Sequence, residues 1–171
     1  MLKSFAKNSM TKNRTQVRTV VDTNLFVSGL IIKRGNPYEL LEAWRRKGFV
    51  LLISEALQTE IAEVLIRPEI KQKYHLTADE VEDTLRLLQA EALHVVPAPA
   101  LPVTLRNPKD EKVLALAIGG EADYLVTGDE DLLTLQGNSD LRGLRIVRST
   151  AFVALLKPTK RGEGRGRRRA A

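Results

Sequence analysis

Four acidic side chains fall where an acid is costly unless something partners it. In "RTVVDTN" the apolar run Val20–Val21 stops at Asp22, and in "YLVTGD" a second apolar run leads to Asp129. A carboxylate at the end of a buried strand loses hydration and must find a hydrogen-bond donor or a cation. Taken singly, either acid reads more readily as a cap for the helix that follows, since Asp is a favoured N-cap. Two further acids tip the reading. In "SEALQTEIAEVLIRP" a 100° turn per residue gathers Leu57, Ile61, Val64 and Leu65 into one apolar stripe, with Glu60 at its edge, Glu55 on the opposite face and Glu63 further round. In "NPKDEKVLALAIGG" the stripe is Val113, Leu114, Ala117 and Ile118, and Asp110 lies near its centre, one turn toward the N-terminus. Asp22, Glu60, Asp110 and Asp129 are thus all directed at one edge of the core. Converging carboxylates repel one another and raise each other's pKa, a conflict that a divalent cation removes. The chain has no cysteine and only two histidines, His75 and His94, which read as structural at a helix end and a strand start. The donor set is all oxygen, which suits Mg²⁺ or Mn²⁺.

The elements that must position these acids alternate between short apolar runs and amphipathic segments, the pattern of an α/β fold with a mainly parallel sheet. Five strands are predicted: "RTVV", "FVLLI" (49–53), "LHVV" (93–96), "YLVT" (124–127) and "LRIV" (144–147). Helices are predicted from "NPYELLEAWRRKG", with Asn36 as cap and Pro37 at the first helical position, and from "SEALQTEIAEVLI", capped by Ser54 and ended before Pro68. "TADEVEDTLRLLQAEA" carries a capping box of Thr77 and Glu80. "NPKDEKVLALAIGG" ends at Gly119–Gly120, and "STAFVALL" is a last short helix. In open parallel sheets, sites collect at the carboxyl ends of strands, where Asp22 and Asp129 both fall.

A hydrophobic fraction of 43% and a charged fraction of 28% in 171 residues belong to one soluble globular domain. No apolar run approaches the ~18 residues of a membrane span. The absence of cysteine fits a reducing compartment, and the expected location is the cytoplasm. The net charge of +6 is unevenly spread. Residues 1–18 carry five Lys or Arg and no acid, and residues 157–171 carry seven and one acid, leaving −5 for residues 19–156. Residues 1–17 therefore read as a basic N-terminal tail, residues 18–156 as the folded domain, and "KPTKRGEGRGRRRAA" (157–171) as a disordered basic tail. Such tails either touch nucleic acid through its phosphates or merely solubilise.

The stretches "VVDTNLFVSGLI", "SEALQTEIAEVLIRP" and "NPKDEKVLALAIGGEADYLVTGDEDLL" resemble, in order, the motifs of the PIN-domain family over about residues 18–150. The resemblance implies a Rossmann-like three-layer α/β/α sandwich with a mainly parallel five-stranded sheet, and a metal-dependent ribonuclease, often the toxin of a bacterial toxin–antitoxin pair. It places the acidic quartet on Asp22, Glu60, Asp110 and Asp129, makes Asn24 the polar residue that orients the first Asp, and gives Thr127 a supporting role before the last. RNA as substrate follows from the resemblance alone, which also leaves room for a cognate antitoxin and a homodimer. One departure stands out: many relatives read Asp-Pro-x-Asp where this chain reads Asn107-Pro108-Lys109-Asp110.

The chemistry implied is phosphodiester hydrolysis by a metal-activated water, with Asp22 and Asp110 as main ligands and Glu60 and Asp129 serving a second ion or binding through water. Basic groups must bring phosphate to an acidic site, and Arg106, Lys109, Lys112 and the two tails are the candidates. A haloacid-dehalogenase phosphatase also places Asp after its first strand, but needs a second Asp where Asn24 stands. No phosphate-binding P-loop occurs. A PIN-fold module that grips RNA or protein without cutting, and a structural α/β protein with capping acids, complete the alternatives.

Overall fold

The apolar runs become strands and the amphipathic segments cross between them. The computed structural model describes residues 16–157; the two basic tails, apart from residues 16, 17 and 157, lie outside the described residues. The chain runs β1 (Arg18–Val21), α1 (Thr23–Ile31), α2 (Asn36–Arg45), β2 (Val50–Ile53), α3 (Glu55–Leu65), α4 (Pro68–Tyr74), α5 (Ala78–Glu91), β3 (Leu93–His94), α6 (Pro108–Gly119), β4 (Tyr124–Val126), α7 (Glu130–Leu133), a 3-10 turn (Ser139–Leu141), β5 (Arg145–Val147) and α8 (Ser149–Leu156). The strand order is β3-β2-β1-β4-β5 and every pairing is parallel.

This order has a physical consequence. From β1 the chain steps outward to β2 and β3, then returns past β1 to β4 and β5. Right-handed crossovers put the helices of the outward and return journeys on opposite faces, giving the three layers. The reversal falls between β1 and β4, which pair with Val21 opposite Val126. A crevice opens at the carboxyl ends of two such strands. α6 makes the return crossing and packs on β1, β2 and β4, while α2 packs on both α1 and α8. The core is built from fully buried strand residues such as Val20, Leu52, Leu125 and Val126, met by Leu114 and Leu116 of α6 and by Phe26 and Leu40 of α1 and α2.

Several elements differ from the pattern reading. "TNLFVSGLI" is α1, a helix apolar on nearly all sides and so without a stripe to announce it. Its Gly29 permits the close approach of α2: a Cβ there would stand 2.4 Å from the Pro37 carbonyl oxygen. Pro68 opens the short helix α4 as well as ending its predecessor. The third strand is only Leu93–His94, although the Val95 N–H still donates to the Ile53 carbonyl at 2.9 Å. Asn36 is the first residue of α2 and not its cap. Gly35, at φ 84°, takes the cap position, and the Asn36 amide donates instead to the Thr150 hydroxyl at 3.2 Å, tying α2 to α8. Ser54 and the Thr77–Glu80 box cap as predicted.

Candidate active site

The two adjoining strand ends are tied together by one hydroxyl. Thr127, fully buried, continues β4 by donating its N–H to the Val147 carbonyl at 3.0 Å. Its Oγ1 donates to Asp22 Oδ2 at 2.8 Å and accepts from the Asp129 N–H at 3.0 Å. The Asp22 N–H in turn donates to the Val126 carbonyl at 2.9 Å. The orientation of Asp22 therefore comes from Thr127, with a weaker contact from the Asn24 backbone N–H at 3.4 Å to Oδ1. The resemblance gave the orienting part to the Asn24 side chain. Asn24 sits in the first turn of α1, exposed, where its backbone is the group that reaches Asp22.

Capping and presentation turn out to be compatible. Asp22 caps α1 and Asp129 caps α7, its Oδ1 accepting from the Asp131 N–H at 2.8 Å. A carboxylate has two oxygens and about four lone-pair sites, so a cap leaves capacity free. Asn107 caps α6 by accepting from the Lys109 N–H at 3.0 Å, a task that Asn performs as well as Asp.

Asp110 is the acid that capping does not explain. It is 4% exposed, and its Oδ2 has no hydrogen-bond partner among the described residues. Burial pushes its carboxyl up from 3.8 to about 6, and the charges of Asp129, Asp22 and Asp131, with a contact from the Asp129 carboxyl, push the same way. Asp22, Glu60, Asp110 and Asp129 line one cavity of about 260 Å³, with Asn24, Asn107 and Lys109 at its wall. Thr23 lines the same cavity, and its buried hydroxyl likewise has no partner among the described residues.

Among the described residues the acids that come together closely enough for one ion are Asp110, Asp129 and Asp131, one carboxylate oxygen of each lying within 4.8 Å of the others; Asp131 does not itself line the cavity. Asp131 was not picked out from the sequence, although its signal is there: in "GDED" it stands two residues beyond Asp129, across the cap of α7. Asp22 and Glu60 line the cavity outside that group. Of the three basic candidates, Lys109 lines the cavity. Arg106, 88% exposed, donates to Asp131 Oδ1 at 3.1 Å and so is tied to the acid cluster from outside. Lys112 is exposed on α6 and is not part of the cavity wall.

The residues fit a divalent cation. An unpartnered buried carboxylate oxygen, pressed by three like charges in an all-oxygen cavity, is the donor set of a hard metal ion. Without a cation the arrangement is repulsive, and Asp110 answers by holding a proton up to about pH 6.

Comparison with known proteins finds relatives by sequence, by structure and by family. An uncharacterized protein of Methanocaldococcus jannaschii is 26% identical over 123 residues, covering 72% of this chain and 77% of its own length. A chain in the crystal structure of VapBC2 from Rickettsia felis bound to a promoter DNA fragment is 14% identical, with a TM-score of 0.47 over 77% of this chain and 98% of that one. Residues 18–131, two thirds of the chain and all four acids of the cavity, match the PIN domain. The chain belongs to the PIN-domain family.

Proposed function

We propose that the protein is a divalent-metal-dependent ribonuclease that hydrolyses RNA phosphodiester bonds at the cavity between β1 and β4. PIN domains are generally nucleases. The observation that carries the reading is Asp110, buried with an unpartnered oxygen among three other carboxylates. Mg²⁺ or Mn²⁺ is the fitting ion, held by Asp110 and Asp129 with Asp22, Asp131 and Glu60 close by. Such an ion supplies an activated water and relief of the charge that builds on the phosphate.

The chain's own residues do the remainder. Thr127 holds Asp22 and the start of α7 in one geometry, as an outer partner fixes a ligand. Lys109, on the cavity wall, offsets the repulsion between substrate phosphate and the acids. Arg106, paired with Asp131, adds a positive group at the rim. Burial of Asp110 excludes water from one side of the acid group, which strengthens each charge interaction there. The same reading takes the protein to work in the cytoplasm, as the toxin of a toxin–antitoxin pair.

The test is cleavage of labelled RNAs of varied sequence by the purified full chain with Mn²⁺, with Mg²⁺ and with chelator. Metal-dependent cleavage that falls at least ~100-fold in Asp22→Asn and Asp110→Asn is the expected result. Asn keeps the shape and one acceptor oxygen, so a purely structural Asp22 would lose at most one of its two accepted hydrogen bonds and cleavage by the folded variant would scarcely change. Undiminished cleavage by both variants contradicts the assignment. RNA binding without cleavage under all conditions selects the alternative, a PIN-fold binding module; the absence of an acid at Asn107, on the cavity wall, is the feature that favours it.

A further inference from the structure

We infer that the groove beside the acid cavity, between α1, α3 and α4, is a nucleotide subsite in which Tyr74 stacks an unpaired base and Arg67 meets a phosphate. The inference rests on the ribonuclease reading and adds where the substrate strand lies. The groove, about 360 Å³, shares Thr23, Asn24, Glu60 and Lys109 with the acid cavity. A strand with one phosphate at the acids therefore passes its neighbouring nucleotide across that shared wall. The volume is within the range of small-ligand pockets, about 300–1,000 Å³.

The lining suits a nucleotide. Val27, Val64 and Ile70 contribute apolar side chains to its lining, and α4 contributes Arg67 from its cap position and Tyr74 from its last turn. Tyr74 is half-buried, and the Lys73 ammonium lies 5.3 Å from its ring centroid, so this end is both aromatic and cationic. Arg67 is exposed and joins no salt bridge among the described residues. Lys109 stands at the shared wall in the same condition. Residues 19–156 carry a net −5, so a phosphate approaching the acids needs local cations, and Arg67 and Lys109 are the two that line this groove. Apolar side chains, one ring and two cations lining the same groove offer a base a face and the backbone its counter-charge. That is how single strands are held without sequence readout.

The experiment is fluorescence anisotropy of a short labelled single-stranded RNA with the full chain in chelator, so that binding is read without cleavage. Tyr74→Ala should weaken binding roughly 5- to 100-fold, while Tyr74→Phe, which keeps the ring, stays within about twofold. Arg67→Ala should weaken binding and reduce the salt slope by about one. An RNA stripped of its bases should lose a similar factor with the wild type and lose nothing further with Tyr74→Ala, a cycle that does not depend on how stable the variant is. If Tyr74→Ala binds intact RNA as the wild type does, or still discriminates against the base-free strand, the subsite is overturned. The groove would then be left for a protein segment. Metal-dependent cleavage by the wild type in that same event keeps the ribonuclease reading standing. A wild type that neither binds nor cleaves RNA removes both.

Discussion

Strand β4 carries an aspartate beyond each end, and the two ends of the sheet treat them differently. Asp123, at the amino end, accepts the Arg18 N–H at 2.8 Å and borders the larger of the two openings, a hollow of about 910 Å³. Asp129, at the carboxyl end, faces a cavity of about 260 Å³ with Asp22, Glu60 and Asp110. The larger hollow gathers no carboxylate cluster among the described residues; the smaller one does, around an oxygen that none of those residues satisfies. Size does not mark the site. Charge that the fold concentrates and leaves without a partner among the described residues marks it, because such an arrangement is costly until a cation relieves it.

The largest expected effect separates the two ends by activity. Asp129→Asn should reduce RNA cleavage at least ~100-fold, as a lost ligand does, whereas Asp123→Asn should leave it within about twofold. Comparable losses in both, measured on folded protein, would erase the distinction between the ends.

Stability in chelator should change with opposite sign. Asp123→Asn weakens a charge-assisted bond and should lower the unfolding free energy by about 1–2 kcal/mol. Asp110→Asn removes a charge that the folded state disfavours. A carboxyl raised from 3.8 to about 6 corresponds to as much as ~3 kcal/mol of penalty at neutral pH, so the variant should gain about 1–3 kcal/mol at pH 8. The sign with pH follows from proton uptake. Between about pH 4 and pH 6 the folded wild type keeps a proton that the unfolded chain has released, so this group's contribution falls as pH rises through that window and is fully unfavourable above it. Urea melts in chelator at pH 4.5 and pH 8 should show the advantage of Asp110→Asn growing with pH. An advantage that shrinks with pH contradicts the assignment.

Thr127→Val removes the hydroxyl shared by Asp22 and the Asp129 N–H while keeping the side-chain volume. Two polar groups lose their partner, so about 1–3 kcal/mol of stability should go, with a ~10- to 100-fold drop in cleavage. Thr127→Ser, which restores the hydroxyl, should recover most of the activity, and failure of that rescue would show that volume and not bonding matters at this position. The smallest effect is expected of Arg106→Ala. Its ion pair with Asp131 is largely exposed, worth about 0–1 kcal/mol, so melts should barely move while the salt slope of RNA binding flattens slightly.

How much of this was legible in the sequence follows the physics of each part. Asp22 and Asp129 could be placed because β-strands are short and their ends are marked by the last apolar residue. Glu60 could be placed because the one-sided stripe of α3 fixes its rotation; Asp110 falls on the buried side of α6 as read, although that helix is buried over a wider arc that includes Leu116, outside the predicted stripe. α1 was not legible, since a helix buried on most sides has no periodic contrast. α4 was missed because Pro68 ends one helix and opens another with equal ease. The Asn36 cap misled because a Gly with positive φ served the turn and freed the Asn for a distant hydroxyl. Asp131 escaped because its membership depends on how the cap of α7 orients two acids two residues apart, a geometry that stripe counting does not reach. Thr127 was read as a neighbour of Asp129, while its bond across to β1 is a property of strand order, which no local pattern encodes.

The central claim is that the carboxyl-end acids form a cation site with Asp110 in it, and Mn²⁺ titration followed by calorimetry at pH 7.5 tests it most directly. The wild type and Asp123→Asn should each bind Mn²⁺ saturably, since at this pH a carboxyl with pKa about 6 is ionised and its charge is open to the ion. Asp110→Asn should lose that binding. Equal Mn²⁺ binding by wild type and Asp110→Asn, or none by the folded wild type at millimolar ion, contradicts the account.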